Sequence, residues 1–205
     1  MKPLVNIDSE KITSHVYSRC INGSSFLENS WYKNMLIDIF CYAKKKIPFE
    51  LHALTILDNH FHALITTAND AKILPDIMFK IKKKFTVNYN KSNNRIGTLW
   101  NERYGRKYVE TADNPETYLL SLLWYLAFNP IRKNYTDVPG KYKFDSINYY
   151  LINNYHDNMP ISMHNYYLSL SKNPEERIKI FKEYGEKYKY LFLDSKWHDG
   201  VLDFY

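Results

Sequence analysis

Residues 49–66 read FELHALTILDNHFHALIT. Two stretches rich in apolar and β-branched side chains flank the polar pair Asp58-Asn59. That composition suits two antiparallel strands, 49–57 and 60–66, joined by a turn. Successive side chains of a strand point to opposite faces, so His60 and His62 share one face and Phe61 takes the other.

Outward from this hairpin, ITSHVYSR (12–19) alternates and carries β-branched residues, which predicts a further strand. Ser30 suits a helix cap, and Met35, Ile39 and Tyr42 continue at helical spacing to about Lys46, with Pro48 as the stop. Downstream, Ile73, Ile77, Ile81 and Phe85 mark one face of a helix over 73–89, followed by a basic loop or short strand at 97–112. The clearest helix has Asp113 or Asn114 as cap, Pro115 and Glu116 in its first turn, and an apolar body ending at Asn129-Pro130. This order predicts an α+β fold: a ferredoxin-like or RRM-like antiparallel sheet with helices packed on one face. Beyond residue 150 the pattern becomes mostly helical, notably Glu175 to Leu191 behind Asn173-Pro174. The expected division is a domain over 1–150 and a helical C-terminal extension over 151–205.

With 205 residues, 45% of them hydrophobic, the chain can bury a substantial core. Its longest nearly apolar run, Tyr118 to Phe128, covers 11 residues, whereas a membrane span needs about 20. The opening MKPLVNIDSEK places acids where a signal peptide would be apolar, so the expectation is a cytoplasmic, reducing location. Cys20 and Cys41 are too few for a disulfide framework or a four-thiolate zinc site and read as core thiols. The net charge of +6 is concentrated: residues 71–110 hold ten Lys/Arg against three Asp/Glu, interleaved with Phe85, Tyr89, Trp100, Tyr104 and Tyr108. Cations that neutralise phosphates beside rings that stack on bases suit single-stranded nucleic acid, although such a run also suits a solvated face.

Neutral imidazoles are common ligands for divalent metals, so His60 and His62 can offer two coordination positions; two partly buried histidines on a sheet face fit the same spacing. On the apolar helix, Tyr118, Leu122, Tyr125 and Asn129 follow at offsets of 4, 3 and 4 and share a face. A phenol, with a pKa near 10, attacks phosphorus only with a polarised electrophile or a local base, and any of 19 tyrosines can simply be packing.

Taken in order, HVYSRCINGSSFL (15–27), LDNHFHALI (57–65), GTLWNERYGRKYVE (97–110), WYLAFNPIRKN (124–134) and KYKFDSINYYL (141–151) resemble the REP-associated tyrosine transposases. These belong to a wider class of single-tyrosine nucleases marked by His-hydrophobe-His. One departure is Leu57-Asp58, where family members commonly carry Met-Pro before Asn-His.

The resemblance implies that His60 and His62 hold Mg²⁺ or Mn²⁺, with Asn129 as a third polar contact, and that Tyr125 is the nucleophile. The expected activity is cleavage and rejoining of single-stranded DNA near hairpins through a 5′-phosphotyrosine. Arg19, Lys82, Lys83, Lys84, Arg103, Arg106 and Lys107 are the expected DNA-binding residues, and the partner is single-stranded or hairpin DNA. The protein would work as a monomer or homodimer, cytoplasmic and nucleoid-associated when bound. Two rivals stand beside this reading: a hairpin-binding regulator that does not cut, and a hydrolase that activates water at the histidines.

Overall fold

The computed structural model describes residues 11–68, 73–101 and 103–193. The last twelve residues of the expected extension lie outside them. The elements in order are β1 (Lys11–Arg19), a 3₁₀ turn (Ile21–Gly23), α1 (Ser30–Lys46), β2 (Glu50–Ile56), β3 (His60–Ala68), α2 (Ile73–Ser92), β4 (Gly105–Tyr108), α3 (Pro115–Arg132), α4 (Asn148–Leu151), α5 (Asn165–Leu168) and α6 (Pro174–Leu193). The strands form one antiparallel sheet in the order β2-β3-β1-β4. The α+β fold, with its antiparallel sheet and its layer of helices, agrees with the sequence.

Register fixes the two faces. Tyr17 pairs with His62, Arg19 with His60, His15 with Leu64 and Thr55 with His62, so these side chains share one face. Val16, Leu54, Phe61, Ala63 and Ile65 fill the other and meet α1 and α2, where Phe61 lies edge-on to Phe40 at 5.5 Å. α1 forms because Leu36, Phe40 and Ala43 recur on its inner side, and Asn29, one residue before the expected cap, accepts from the Trp31 amide. The opposite, histidine-bearing face is not open: α3 covers it, and α6 packs outside α3 through Trp124 stacked on Phe181 at 4.9 Å. α3 is capped by Asn114, which accepts from the Thr117 amide. It does not end at Asn129-Pro130 as expected but runs on to Arg132 with Pro130 inside. Proline removes one donor from a helix, and here burial of the flanking residues holds the last turn in place.

The outer edge of β2 is covered. Residues 144–146 bond to it through Ile56 N to Phe144 O (2.9 Å), Ser146 N to Leu54 O (3.1 Å) and Leu54 N to Ser146 Oγ (2.9 Å), and Ser162 N reaches Leu51 O at 2.8 Å. Unpaired edges invite foreign strands, and this one is hemmed by the chain's own later residues. Tyr150, Met159, Tyr167 and Phe181 join the same core as the sheet, so the described part of the extension packs directly on the domain before it. Cys20 is buried, its thiol pushed up to about 12 by desolvation, whereas Cys41 is only half-buried and is not a core thiol. No helix among the described residues is long and apolar enough to cross a membrane.

A buried polar chain ties the extension to the sheet. The Tyr166 amide donates to His164 Nδ1 (3.1 Å), which leaves the ring proton on Nε2 to donate to Thr13 Oγ1 (3.2 Å). Thr13 then donates to Thr66 Oγ1 (2.8 Å), Thr66 to His52 Nε2 (2.8 Å), and His52 Nδ1 to the Ser162 carbonyl (2.6 Å). Each direction is consistent only with both imidazoles neutral. Burial lowers the pKa of both, that of His164 to about 4. Because the unfolded imidazole titrates near 6.5, the unfolded chain binds more protons between these values, and stability falls as pH drops below about 6.5. His164 alone is expected to remove about 2 kcal/mol between pH 7 and about 5. The buried Asp145 carboxyl, pushed up to about 7 by desolvation, acts in the other direction. The check is therefore a comparison of melts of wild type and His164→Gln across this range: the variant should lose less stability on acidification, and parallel curves would refute the assignment.

Gly105 sits in β4 opposite Tyr17, and a Cβ built on it would lie 2.0 Å from the tyrosine ring. The missing side chain leaves room for that ring, which lies tilted to His15 and His62 at centroid distances of 6.0 and 5.7 Å. Gly105→Ala is expected to destabilise by about 2 kcal/mol, as overpacking does, and Tyr17→Ala in the same chain should restore most of the loss. Thermal unfolding of the single and double variants measures both.

Candidate active site between the sheet and α3

His60 and His62 project from β3 toward α3 with ring centroids 5.1 Å apart and planes at 81°. Asn59, at the end of the β2–β3 turn, accepts from His60 Nδ1 at 2.6 Å, and its own amide donates to the Gly23 carbonyl at 3.4 Å. His62 Nδ1 shares a 3.0 Å hydrogen bond with His15 Nε2 from β1. Both Nδ1 atoms are thus engaged by neighbours that orient the two rings. An imidazole oriented by a bond at its other nitrogen is a common arrangement behind metal sites. Burial depresses the His62 pKa well below its ordinary value, with the charges of His15, His60, Arg132 and Arg19 adding to it. His15 is lowered to about 4, chiefly by burial and then by Lys107. Neutral rings are what metal coordination requires.

The turn that delivers Asn59 is itself fastened. Lys33 of α1 pairs with Asp58 at 2.6 Å and donates to the Glu28 carbonyl at 3.2 Å, while the Phe144 ring lies 5.3 Å from the ammonium. Leu57-Asp58, where the sequence departs from Met-Pro, therefore supplies an anchor of its own.

Tyr125 lies above the pair, its ring centroid 6.0 Å from that of His62 and 6.3 Å from that of His15. Asn129 follows one turn later, and its Oδ1 accepts from Arg132 Nη2 at 2.9 Å. His60, His62, Tyr125 and Asn129 are each 5% exposed, and Asn129 is tied to Tyr125 through Arg132, whose Cζ lies 4.5 Å from the Tyr125 centroid. Among the described residues no group of three or more His, Cys, Asp or Glu side chains is arranged to hold a metal. The donor set is two imidazoles, that of His62 kept neutral by burial, plus an amide oxygen that retains one lone pair. That set fits a divalent ion completed by water and phosphate oxygens rather than a closed structural site.

The expected DNA-binding residues do not come together. Arg19 and Lys107 lie on the histidine face, with Lys107 over the Tyr118 ring at 5.3 Å. Lys82, Lys83 and Lys84 belong to α2 in the opposite layer, where Lys82 donates to the Asn101 carbonyl at 2.7 Å and Lys84 sits 4.3 Å from the Tyr42 centroid. Arg106 points to that layer too, 4.5 Å from the Tyr108 centroid, and Arg103 occupies the bend before β4. A continuous basic block in sequence is split by the sheet into two surfaces. Sequence reasoning missed His15, Asn59 and Arg132. The first alternates toward the histidine face of β1, the second adjoins a candidate ligand, and the third sits seven residues after Tyr125.

The sequence model of the family described as "Transposase IS200 like" matches residues 8–119, more than half of the chain. The chain belongs to the IS200-like transposase family. The matched span contains His15, His60 and His62 and stops short of Tyr125, so the placement of Tyr125 and Asn129 on α3 is information beyond the match. No curated protein sequence matches this IS200-like transposase. Among solved structures it is similar to a REP-associated tyrosine transposase bound to a REP hairpin, at 18% identity and a TM-score of 0.59, over 80% of this chain and 93% of that one. A second match is a Deinococcus radiodurans protein described as a transposase, at 18% identity and a TM-score of 0.42, over 60% of this chain and 94% of that one. The first likeness shows that the two share a fold.

Proposed function

We propose that this IS200-like transposase is a metal-dependent nuclease and strand transferase that cuts single-stranded DNA beside hairpins, with Tyr125 as nucleophile. The observation that carries the reading is the meeting of three groups at one interface: Tyr125 within 6.0 Å of His62, ring to ring, and His62 beside His60. His60 and His62 would hold Mg²⁺ or Mn²⁺, with Asn129 Oδ1 as a third contact. When bound there, the ion supplies stabilisation of charge on the non-bridging oxygens of the scissile phosphate. Tyr125 Oη attacks phosphorus; the P–O3′ bond breaks, the electron pair leaves with O3′, and a proton from solvent makes it a 3′-hydroxyl while the phenol proton is lost to solvent. The product is a 5′-phosphotyrosine. One phosphodiester has replaced another of similar energy, so a later 3′-hydroxyl can reverse the step and join strands without ATP.

Single-stranded or hairpin DNA is the proposed partner, met by a monomer or homodimer in the cytoplasm. Arg19 and Lys107 lie on the side where the reacting strand would enter, whereas Lys82, Lys83 and Lys84 suit the backbone of a stem held further away. Changing all three lysines to Ala should lower the salt slope of hairpin binding by up to about three, read by fluorescence anisotropy between about 50 and about 200 mM salt. An unchanged slope would remove them from the interface.

The test of the function itself is a denaturing gel of the full chain incubated with Mn²⁺ and labelled hairpin oligonucleotides, followed by peptide mapping of any adduct. A nucleotide on Tyr125 is the expected result. Cleavage without an adduct would point to water as the nucleophile, and binding without cleavage to a regulator; either overturns the proposal.

A further inference from the structure

We infer that Arg132 is a second catalytic residue of this chain, a guanidinium that binds the scissile phosphodiester beside Tyr125; the inference rests on the proposed role of Tyr125. Arg132 is seven residues, about two helical turns, after Tyr125, and reaches the same side only because α3 continues through Pro130. Its Cζ lies 4.5 Å from the Tyr125 ring centroid, and its Nη2 donates to Asn129 Oδ1. Its charge is felt by His62, the proposed ligand. Two observations then point to an anionic ligand. Arg132 makes no ion pair among the described residues. Its Nη1 is buried without a hydrogen-bond partner.

A shielded guanidinium with one nitrogen bonded and the other unsatisfied is a donor fork half used. Phosphate oxygens match that fork in shape and charge, and a lysine in its place would offer a point charge without the geometry. The cation–π contact with Tyr125 and the bond to Asn129 account for the orientation of the head group; they leave Nη1 unexplained. A phosphodiester attacked by Tyr125 Oη would present a non-bridging oxygen to Nη1 beside the Tyr125 ring. As the P–Oη bond forms and the P–O3′ bond breaks, charge grows on the non-bridging oxygens, and a preorganised donor stabilises that state more than the ground state. Asn129 then has a second use, holding Nη2 so that the fork does not rotate.

Two measurements on the full chain test this, with Arg132→Ala and Arg132→Lys beside wild type. In the first, dimethyl phosphate, the smallest phosphodiester, is titrated and followed by NMR of ¹³C-labelled tyrosine rings. The Tyr125 resonance should move saturably in wild type, with affinity at least about tenfold weaker in Arg132→Ala and intermediate in Arg132→Lys. In the second, single-turnover adduct formation on an oligonucleotide cut by wild type should slow by at least about a hundredfold in Arg132→Ala, and millimolar guanidinium chloride should recover part of the rate. Mn²⁺ affinity, read by electron paramagnetic resonance, should not fall. Equal dimethyl phosphate affinity in wild type and Arg132→Ala, or no binding to wild type, would overturn the inference, as would an adduct rate within about threefold of wild type. Should Arg132→Ala fail to fold, Arg132→Lys and the wild-type titration still decide. If wild type forms no adduct on any oligonucleotide, the reading of Tyr125 fails while the phosphate titration continues to judge Arg132.

Discussion

Tyr125→Phe is expected to slow covalent adduct formation by at least about a thousandfold while leaving hairpin affinity and the melting temperature close to wild type. Phenylalanine keeps the ring, and with it the cation–π contact to Arg132 and the edge-on packing against His15 and His62. Only the oxygen is removed, and that oxygen is the atom proposed to attack phosphorus. Comparison of the initial rate of adduct formation with binding measured in Ca²⁺ separates the two effects. A Phe variant that still becomes linked to DNA would place the nucleophile elsewhere, with Tyr118, one face-repeat earlier on α3, the first residue to map.

Phe61→Ala is expected to destabilise the fold by about 4 kcal/mol and to lower the melting temperature by roughly 10 °C. The ring is fully buried on the helical side of the sheet, edge-on to both Phe40 and Trp100 at 5.5 Å. Removing it leaves a cavity bounded by α1 and the loop before β4, and rigid neighbours collapse into such spaces only in part. Phe61 is also the residue between the two proposed ligands, so its anchorage sets how firmly β3 presents them. Phe61→Leu should lose far less, about 1 kcal/mol, because most of the volume returns. Denaturant melts of the two variants provide the measurement, and equal losses would mean that shape at this position, rather than volume, is decisive.

Much of this was legible in the chain because local periods carry it. His-Phe-His on a strand can only place the imidazoles on one face, and Asn114-Pro115 followed by an apolar run can only start a helix. Such periods say which side of an element is apolar but not which elements meet. The proximity of Tyr125 to His62 follows from residues far apart in sequence, and the family resemblance, not periodicity, suggested it. The split of the basic block was invisible for the same reason: Arg106 and Lys107 are adjacent in sequence and point to opposite layers. Pro130 was read as a stop because its ring removes a helical donor, yet tertiary burial outweighs that loss and carries Arg132 to the site. The neutral chain from His164 to His52 was equally hidden, since its members come from β1, β2, β3 and the extension and have no common spacing.

Residues 161–162 lie along the outer side of β2, and α6 shelters Trp124 of α3. A version of the protein shortened at residue 150 would retain every side chain named in the proposed chemistry and lose both of these covers. The bared backbone would then be a landing place for another molecule's strand, and the indole would stand in water. Anyone seeking a compact cutting tool from this protein should trim elsewhere, because the residues after 150 cover backbone and indole that the cut would bare.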